Sequence, residues 1–218
     1  MRYWWKILAS ILLFYTLIGG FLIEVPRQVI LYESIRNLYF HVPMWFTMIF
    51  LFLLSTINSI KNLSSGSIEH DRKAIEYVNV GIVFGILGTI TGSIWAQFTW
   101  GAWWTNDVKL NGSAITMLIY LAYVILRGSM DDEQKRARIS AVYNIFAFVM
   151  LIVFIGILPR MTDSLHPGNG GNPGFNNYDL DSNMKLVFYP AVIGWILLGL
   201  WISDIRLRIS RLNEKLNA

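Results

Sequence analysis

The chain has 218 residues, of which 55% are hydrophobic and only 15% charged, with a formal net charge of +4. An ordinary soluble domain carries roughly 25% charged residues, and the apolar runs here leave loops but no room for a separate soluble domain, so a single membrane domain over 1–218 is expected. The positive charges lie between apolar runs, where membrane topology explains them without nucleic acid as a partner. With no cysteine, disulfides, thiolate metal sites and cofactors attached through sulfur are excluded, leaving histidine, carboxylate or other oxygen to hold a metal.

Six apolar runs are expected to cross the bilayer: Trp4–Ile23, Tyr39–Ile60, Ile75–Phe98, Ser113–Leu126, Ile139–Leu158 and Met184–Ile202. The fold class expected is therefore all-α, an integral membrane bundle of six transmembrane helices. In the first run, Arg2 and Lys6 precede an apolar stretch, Ile7–Ile23, that is longer than the core of a secretory signal. No small-residue cleavage site follows it, so a retained helix is expected. The third run carries Gly81, Gly85, Gly88, Gly92 and Ala96 on one helical face. Such a stripe lets a neighbouring helix approach closely and is assigned packing, not chemistry. The fourth run is the shortest and is expected to extend back into the loop before it. No charged residue falls mid-membrane, since Lys6 and Glu76 lie near helix ends, which weighs against ion-coupled transport.

Orientation follows from lysine and arginine. Most of the 18 fall in the termini and in the connections after the second and fourth runs. Only Arg27, Arg36, Lys109, Arg160 and Lys185 fall on the other side. The positive-inside rule then predicts both termini in the cytoplasm and the loops 24–38, 99–112 and 159–183 outside.

Of the 3 histidines, His70 lies in the charged segment E-H-D-R-K on the cytoplasmic side and is expected to be a solvated surface residue. His41, in N-L-Y-F-H-V-P, and His166, in D-S-L-H-P-G, are both expected outside. A lone histidine at such a level is ordinarily an interfacial polar residue. Two on one face also match the ligand type that binds metals most often and serves as an axial ligand of haem iron.

Between them lies W-A-Q-F-T-W-G-A-W-W-T-N-D, Trp95 to Asp107. Two readings stay open for its tryptophans: an aromatic belt at headgroup level, or a flat platform for a planar macrocycle. On the second reading the spacing of Trp100, Trp103, Trp104 and Asp107 predicts a short interfacial helix with these residues on one face. Asp107 would repel haem propionates, so it is expected to accept an indole N–H, cap the fourth helix or pair with a cation. Arg36 is the first candidate for the propionates, with Lys109 and Arg160 behind it. The connection Pro159 to Asn183 is long and holds Gly168, Gly170, Gly171, Pro173 and Gly174, marks of a mobile segment. A ligand carried there can let go, which suits transfer.

The stretch W-G-A-W-W-T-N-D resembles the tryptophan-rich W-G-x-W-W-x-W-D signature of the cytochrome c assembly proteins that handle haem, the CcmC/CcmF/CcsA family. Trp100, Gly101, Trp103, Trp104 and Asp107 match it, and Asn106 stands in place of the last tryptophan. The G-S-I-W ending at Trp95, and Arg36 ahead of Y-F-H-V-P, fit as well, while His41 and His166 match the family's two outer histidines. Over essentially the whole chain the likeness is to the CcmC branch, the larger CcmF and CcsA relatives having further helices and further histidines inside the membrane.

The resemblance implies a bacterial inner-membrane protein that binds haem b, non-covalently and transiently, on its periplasmic side. His41 and His166 would be the iron ligands. Trp95, Trp100, Gly101, Trp103, Trp104, Asp107 and Arg36 would form the rest of the site. The implied acceptor is a CcmE-type haem chaperone, which bonds haem covalently through its own histidine. A CcmD-like small membrane protein and a CcmA/CcmB-like ABC transporter are the further partners. A component of transfer or export, not an enzyme, is implied. The alternatives are a haem lyase acting directly on apocytochrome c, a b-type electron-transfer subunit, and a small-solute transporter.

Overall fold

The computed structural model describes residues 3–27, 31–166 and 180–217, and among them every regular element is helical. They are α1 (Trp4–Leu22), a 3-10 stretch (Tyr32–Asn37) running into α2 (Leu38–Ser65), α3 (Ile68–Trp100), α4 (Val108–Gly128), α5 (Glu133–Leu151), a π-helical stretch (Ile152–Ile157), α6 (Leu158–Met161) and α7 (Ser182–Asn217). Because α5, the π stretch and α6 are continuous, the elements make 6 spans long and apolar enough to cross a membrane. The spans coincide with the six apolar runs, but every helix except the first outruns its run, since polar turns at the ends continue the same backbone ladder. The fourth does extend back, to Val108.

Local chemistry sets the ends. Gly66 (φ 67°) and Gly101 (φ 76°) adopt the left-handed conformation that stops α2 and α3, their amides returning to Asn62 O and Gln97 O. Asp107 and Asp132 cap α4 and α5 through their carboxylates. The π stretch lies just before Pro159, which has no amide to give Ile155 O and whose ring crowds that carbonyl; a widened turn relieves both. Pro190 inside α7 leaves Leu186 O in the same position, and the Tyr15 hydroxyl donates to it at 3.2 Å.

The central helix is α2, packed on α3, α5 and α7, with α1 on α7 and α4 on α5. The α2–α3 contact runs along the glycine stripe. A Cβ at Gly81 would meet Phe52, one at Gly85 would meet Met48 and Met117, and one at Gly88 would lie 2.9 Å from Trp45 Nε1. Phe52 in turn stacks on Tyr120 with ring centroids 3.6 Å apart. Asn144 of α5 donates to Ser55 Oγ at 2.7 Å and Ser59 Oγ at 2.8 Å, a polar tie of the kind that joins helices where no water competes. Ile7, Ile11, Phe14 and Ile18 project from α1 largely exposed, as expected of a lipid-facing stripe.

The two ends of the bundle differ in chemistry. Where α1 begins and α7 ends, ion pairs gather: Lys6–Asp204 at 3.2 Å, Arg206–Glu76 at 2.6 Å, and a two-pronged Arg127–Asp71 pair. His70 belongs to this end. It is half-buried with Nδ1 at 3.2 Å from Asn58 Oδ1, not fully solvated as expected, because α3 begins at Ile68 and packs this turn against α2. The opposite, distal end holds the tryptophans, His41 and His166.

Candidate functional site: two histidines at the distal end of α3

His41 sits in the first turn of α2, facing α3. Its Nδ1 is 2.9 Å from Gly88 O and 3.2 Å from Thr91 Oγ1. A carbonyl only accepts, so Nδ1 carries the proton, and in the neutral ring the lone pair lies on Nε2. Among the described residues Nε2 makes no hydrogen bond. The close approach depends on Gly92, where a Cβ would lie 2.5 Å from His41 Cε1. The distal glycines of the stripe therefore do more than pack helices: they seat this imidazole. Trp95 and Trp45 flank it edge-on, with ring centroids 6.1 and 6.5 Å away.

His166 comes to the same end from the connection after α6. Its Nδ1 lies 3.0 Å from Asp107 Oδ1, and its ring stands edge-on to Trp100 at 4.8 Å. The carboxylate can only accept, so here too Nδ1 is the donor. Asp107 is 4% exposed. It also accepts from Lys109 N and Leu110 N on α4 and from the Ser164 hydroxyl and Leu165 N on the loop. Burial pushes its carboxyl up, but the His166 ring, the Ser164 hydroxyl and the Leu165 amide outweigh that and hold it well below the usual carboxylate range. Of the roles open to Asp107 from sequence it takes one, the helix cap, and it adds a bond to the His166 imidazole that was not among them.

The helix expected across Trp100–Asp107 does not form. Trp100 ends α3, Gly101 turns the chain in the left-handed conformation, and the irregular residues up to Asp107 are too few to hold a helix between that stop and the α4 cap. The four side chains consequently do not share one face. Trp103 and Trp104 point outward, 60% and 42% exposed, while Asp107 turns in. The loop is held by Ser93 Oγ donating to Trp103 O at 2.6 Å and by Trp104 Nε1 donating to Asn111 Oδ1 at 3.2 Å. Asn106 accepts from Asn111 Nδ2 at 2.8 Å, a use no tryptophan could fill.

Arg36 is also partly committed. Nε pairs with Glu33 at 2.5 Å, and Nη1 donates to Gly20 O and Ile23 O at 2.9 and 2.6 Å, closing the C-terminal end of α1. Among the described residues its Nη2 makes no hydrogen bond. Arg36 borders a cavity of about 610 Å³ whose apolar walls include Phe21, Phe40, Trp95 and Phe98. Trp95 is shared between that cavity and His41, and its indole donates to Ser34 Oγ at 3.2 Å. Sequence reasoning missed Gly88, Thr91, Gly92, Ser34 and Ser164. The only signal was the placing of Gly88 and Gly92 at the outer end of the stripe and of Ser164 two residues before His166. The glycine-bearing stretch Gly168–Gly174, expected to be mobile, lies outside the described residues. No cluster of three or more His, Cys, Asp or Glu occurs among the described residues to hold a bare metal ion.

The sequence pattern of the family described as "Heme exporter protein C" (CcmC) matches residues 1–218. The chain is similar to Heme exporter protein C of Paracoccus denitrificans, 26% identical over 204 residues, which cover 93% of this chain and 83% of that protein. It is similar to Heme exporter protein C of Haemophilus influenzae, 23% identical over 182 residues, 84% of this chain and 73% of that protein. A shorter match is to cytochrome c biogenesis protein CcsA of Prochlorococcus marinus subsp. pastoris, 38% identical over 104 residues. That segment is 47% of this chain and spans about a third, 32%, of the relative's length. With the match extending over every residue, the chain belongs to the heme exporter protein C (CcmC) family.

Proposed function

We propose that the protein binds haem b as a transient cargo at its distal end and delivers it to a CcmE-type haem chaperone during cytochrome c maturation. The observation that carries this reading is the pair of imidazoles. Two histidines from distant parts of the chain border the same distal stretch of α3, and each donates through Nδ1 to a protein acceptor, the tautomer in which Nε2 is the nitrogen suited to ligate a metal. Separate imidazoles offered in this way suit axial ligation of a haem iron.

In this reading His41 and His166 ligate the iron from opposite faces. Trp95, Trp100, Trp103 and Trp104 lie against the macrocycle, Gly101 turns the loop that carries the last two, and Arg36 meets a propionate through Nη2 at the cavity rim. Asp107, its acceptor sites taken up by protein donors, serves the site through His166. The exposure of Trp103 and Trp104 suits a surface on which a chaperone docks. The charge distribution supports a distal end in the periplasm and both termini in the cytoplasm of a bacterial inner membrane. A CcmD-like subunit and a CcmA/CcmB-like ABC transporter complete the proposed assembly. The protein then acts as a transfer component and not as an enzyme.

The test is an optical spectrum with a haemochrome assay on the protein purified in detergent, beside His41→Ala and His166→Ala. A six-coordinate b-type spectrum, altered in both variants and lost from the wild type when apo-chaperone is added, is expected. Wild-type protein that takes up no haem after supplementation and with its partners co-expressed would sink the proposal. Haem that stays bound in the presence of apo-chaperone would point to an electron-transfer subunit. Cytochrome c matured without the chaperone would point to a lyase.

A further inference from the structure

Asp107 is buried, and its carboxylate gathers donors from two segments far apart in sequence. From the first turn of α4, Oδ1 accepts the Lys109 and Leu110 amides at 2.9 and 3.3 Å. From the loop after α6, Oδ2 accepts the Ser164 hydroxyl and the Leu165 amide, both at 2.8 Å, and Oδ1 accepts His166 Nδ1 at 3.0 Å. Ser164 works in both directions, since its Oγ also accepts the His166 backbone amide at 3.1 Å. A carboxylate so engaged has little left for a ligand, and its charge opposes a propionate. What it controls is the loop.

We infer that Asp107 is the positioning residue for His166: it clasps residues 164–166 to the start of α4 and holds the imidazole with Nδ1–H inward and Nε2 turned to the cargo. The inference rests on the bis-histidine reading above. It also makes the two ligands unequal. His41 donates to a neutral carbonyl, Gly88 O, whereas His166 donates to an anion, which makes it the stronger electron donor to the iron and favours the ferric state. The W-W-T-N-D stretch thereby joins two jobs in one loop: tryptophans facing outward, and an aspartate facing inward that sets a ligand supplied from a different loop.

Asp107→Asn, Ser164→Ala and His166→Ala, each as the full chain with haem, test this. Asparagine caps a helix about as well as aspartate, so α4 keeps its start. The amide NH₂, however, cannot accept: it meets the Leu165 N–H head-on and forces the Ser164 hydroxyl to turn away its proton. Expected for Asp107→Asn are a partial change from six-coordinate low-spin to a mixed-spin spectrum, restored by added imidazole, a raised midpoint potential, and haem retention about 10- to 100-fold weaker. Ser164→Ala, which leaves the α4 cap untouched, should move spectrum and potential the same way by less. A wild-type spectrum, potential and retention in Asp107→Asn, with His166→Ala altered, overturns the inference while leaving the bis-histidine reading intact. An unaltered His166→Ala overturns that reading, and the inference with it. If Asp107→Asn fails to insert, Ser164→Ala decides, and wild-type behaviour there overturns the inference.

Discussion

Gly92→Ala is a one-carbon change at the place where α3 meets His41, and its size can be worked from the contact. The new Cβ would lie 2.5 Å from Cε1 and 3.1 Å from Nδ1 of the imidazole. Carbon atoms settle at about 3.5–4.0 Å, so the ring must retreat by about 1 Å. The Nδ1–Gly88 O bond, now 2.9 Å, would then open to about 3.9 Å, outside hydrogen-bond range. Overpacking costs about 1–3 kcal/mol, while alanine in place of glycine returns about 1 kcal/mol of helix propensity. Net stability should therefore fall by no more than about 2 kcal/mol, and the protein should still insert. Haem binding should suffer more, because a lost second bond to a ligating imidazole weakens metal affinity about 10- to 100-fold. Haem titration followed in the Soret band, with a thermal melt on the same sample, separates the two effects. Gly81→Ala is the control: it meets Phe52, about 16 Å along the helix, and should cost stability without changing the spectrum. Wild-type affinity and spectrum in Gly92→Ala would refute the argument that this glycine seats the ligand.

Two further changes separate stability from delivery. Asp71→Ala leaves the Arg127 guanidinium, 13% exposed, without its buried partner, and should cost about 3–5 kcal/mol. A lower melting temperature in detergent is expected, with the haem spectrum unchanged below it; an unshifted melt would mean the pair is solvated in the folded protein. Trp103→Ala and Trp104→Ala truncate exposed side chains and should alter stability by less than about 0.5 kcal/mol. Loading of apo-chaperone should nonetheless fall in both, and unimpaired loading would reduce these tryptophans to a headgroup-level belt.

Hydropathy was enough for the architecture, because a bilayer leaves the backbone few ways to satisfy its own polar groups, and a long apolar run there becomes a helix. The spans, the backward extension of α4 and the close α2–α3 contact along the glycine stripe were all legible from local composition and spacing. So was the capping role open to Asp107, since an N-cap depends on the next three residues only. Local pattern failed where a single backbone conformation intervened. Periodicity pointed to a helix through Trp103 and Trp104, but Gly101 at φ 76° ends α3 and turns those tryptophans away from Asp107. Periodicity was likewise blind to the π stretch ahead of Pro159.

Tertiary structure alone decided the partners. Gly92 reads the same as Gly81 in sequence, yet one faces a phenylalanine and the other an imidazole, because that depends on which turn of α2 lies opposite. Asp107 and His166 are 59 residues apart, and Arg36 reaches carbonyls at the end of α1. Hydrogen bonds of this kind form only after the helices have packed, whereas hydropathy acts on each segment separately. Residue types can thus be recognised along the chain, but their geometry exists only in the assembled bundle.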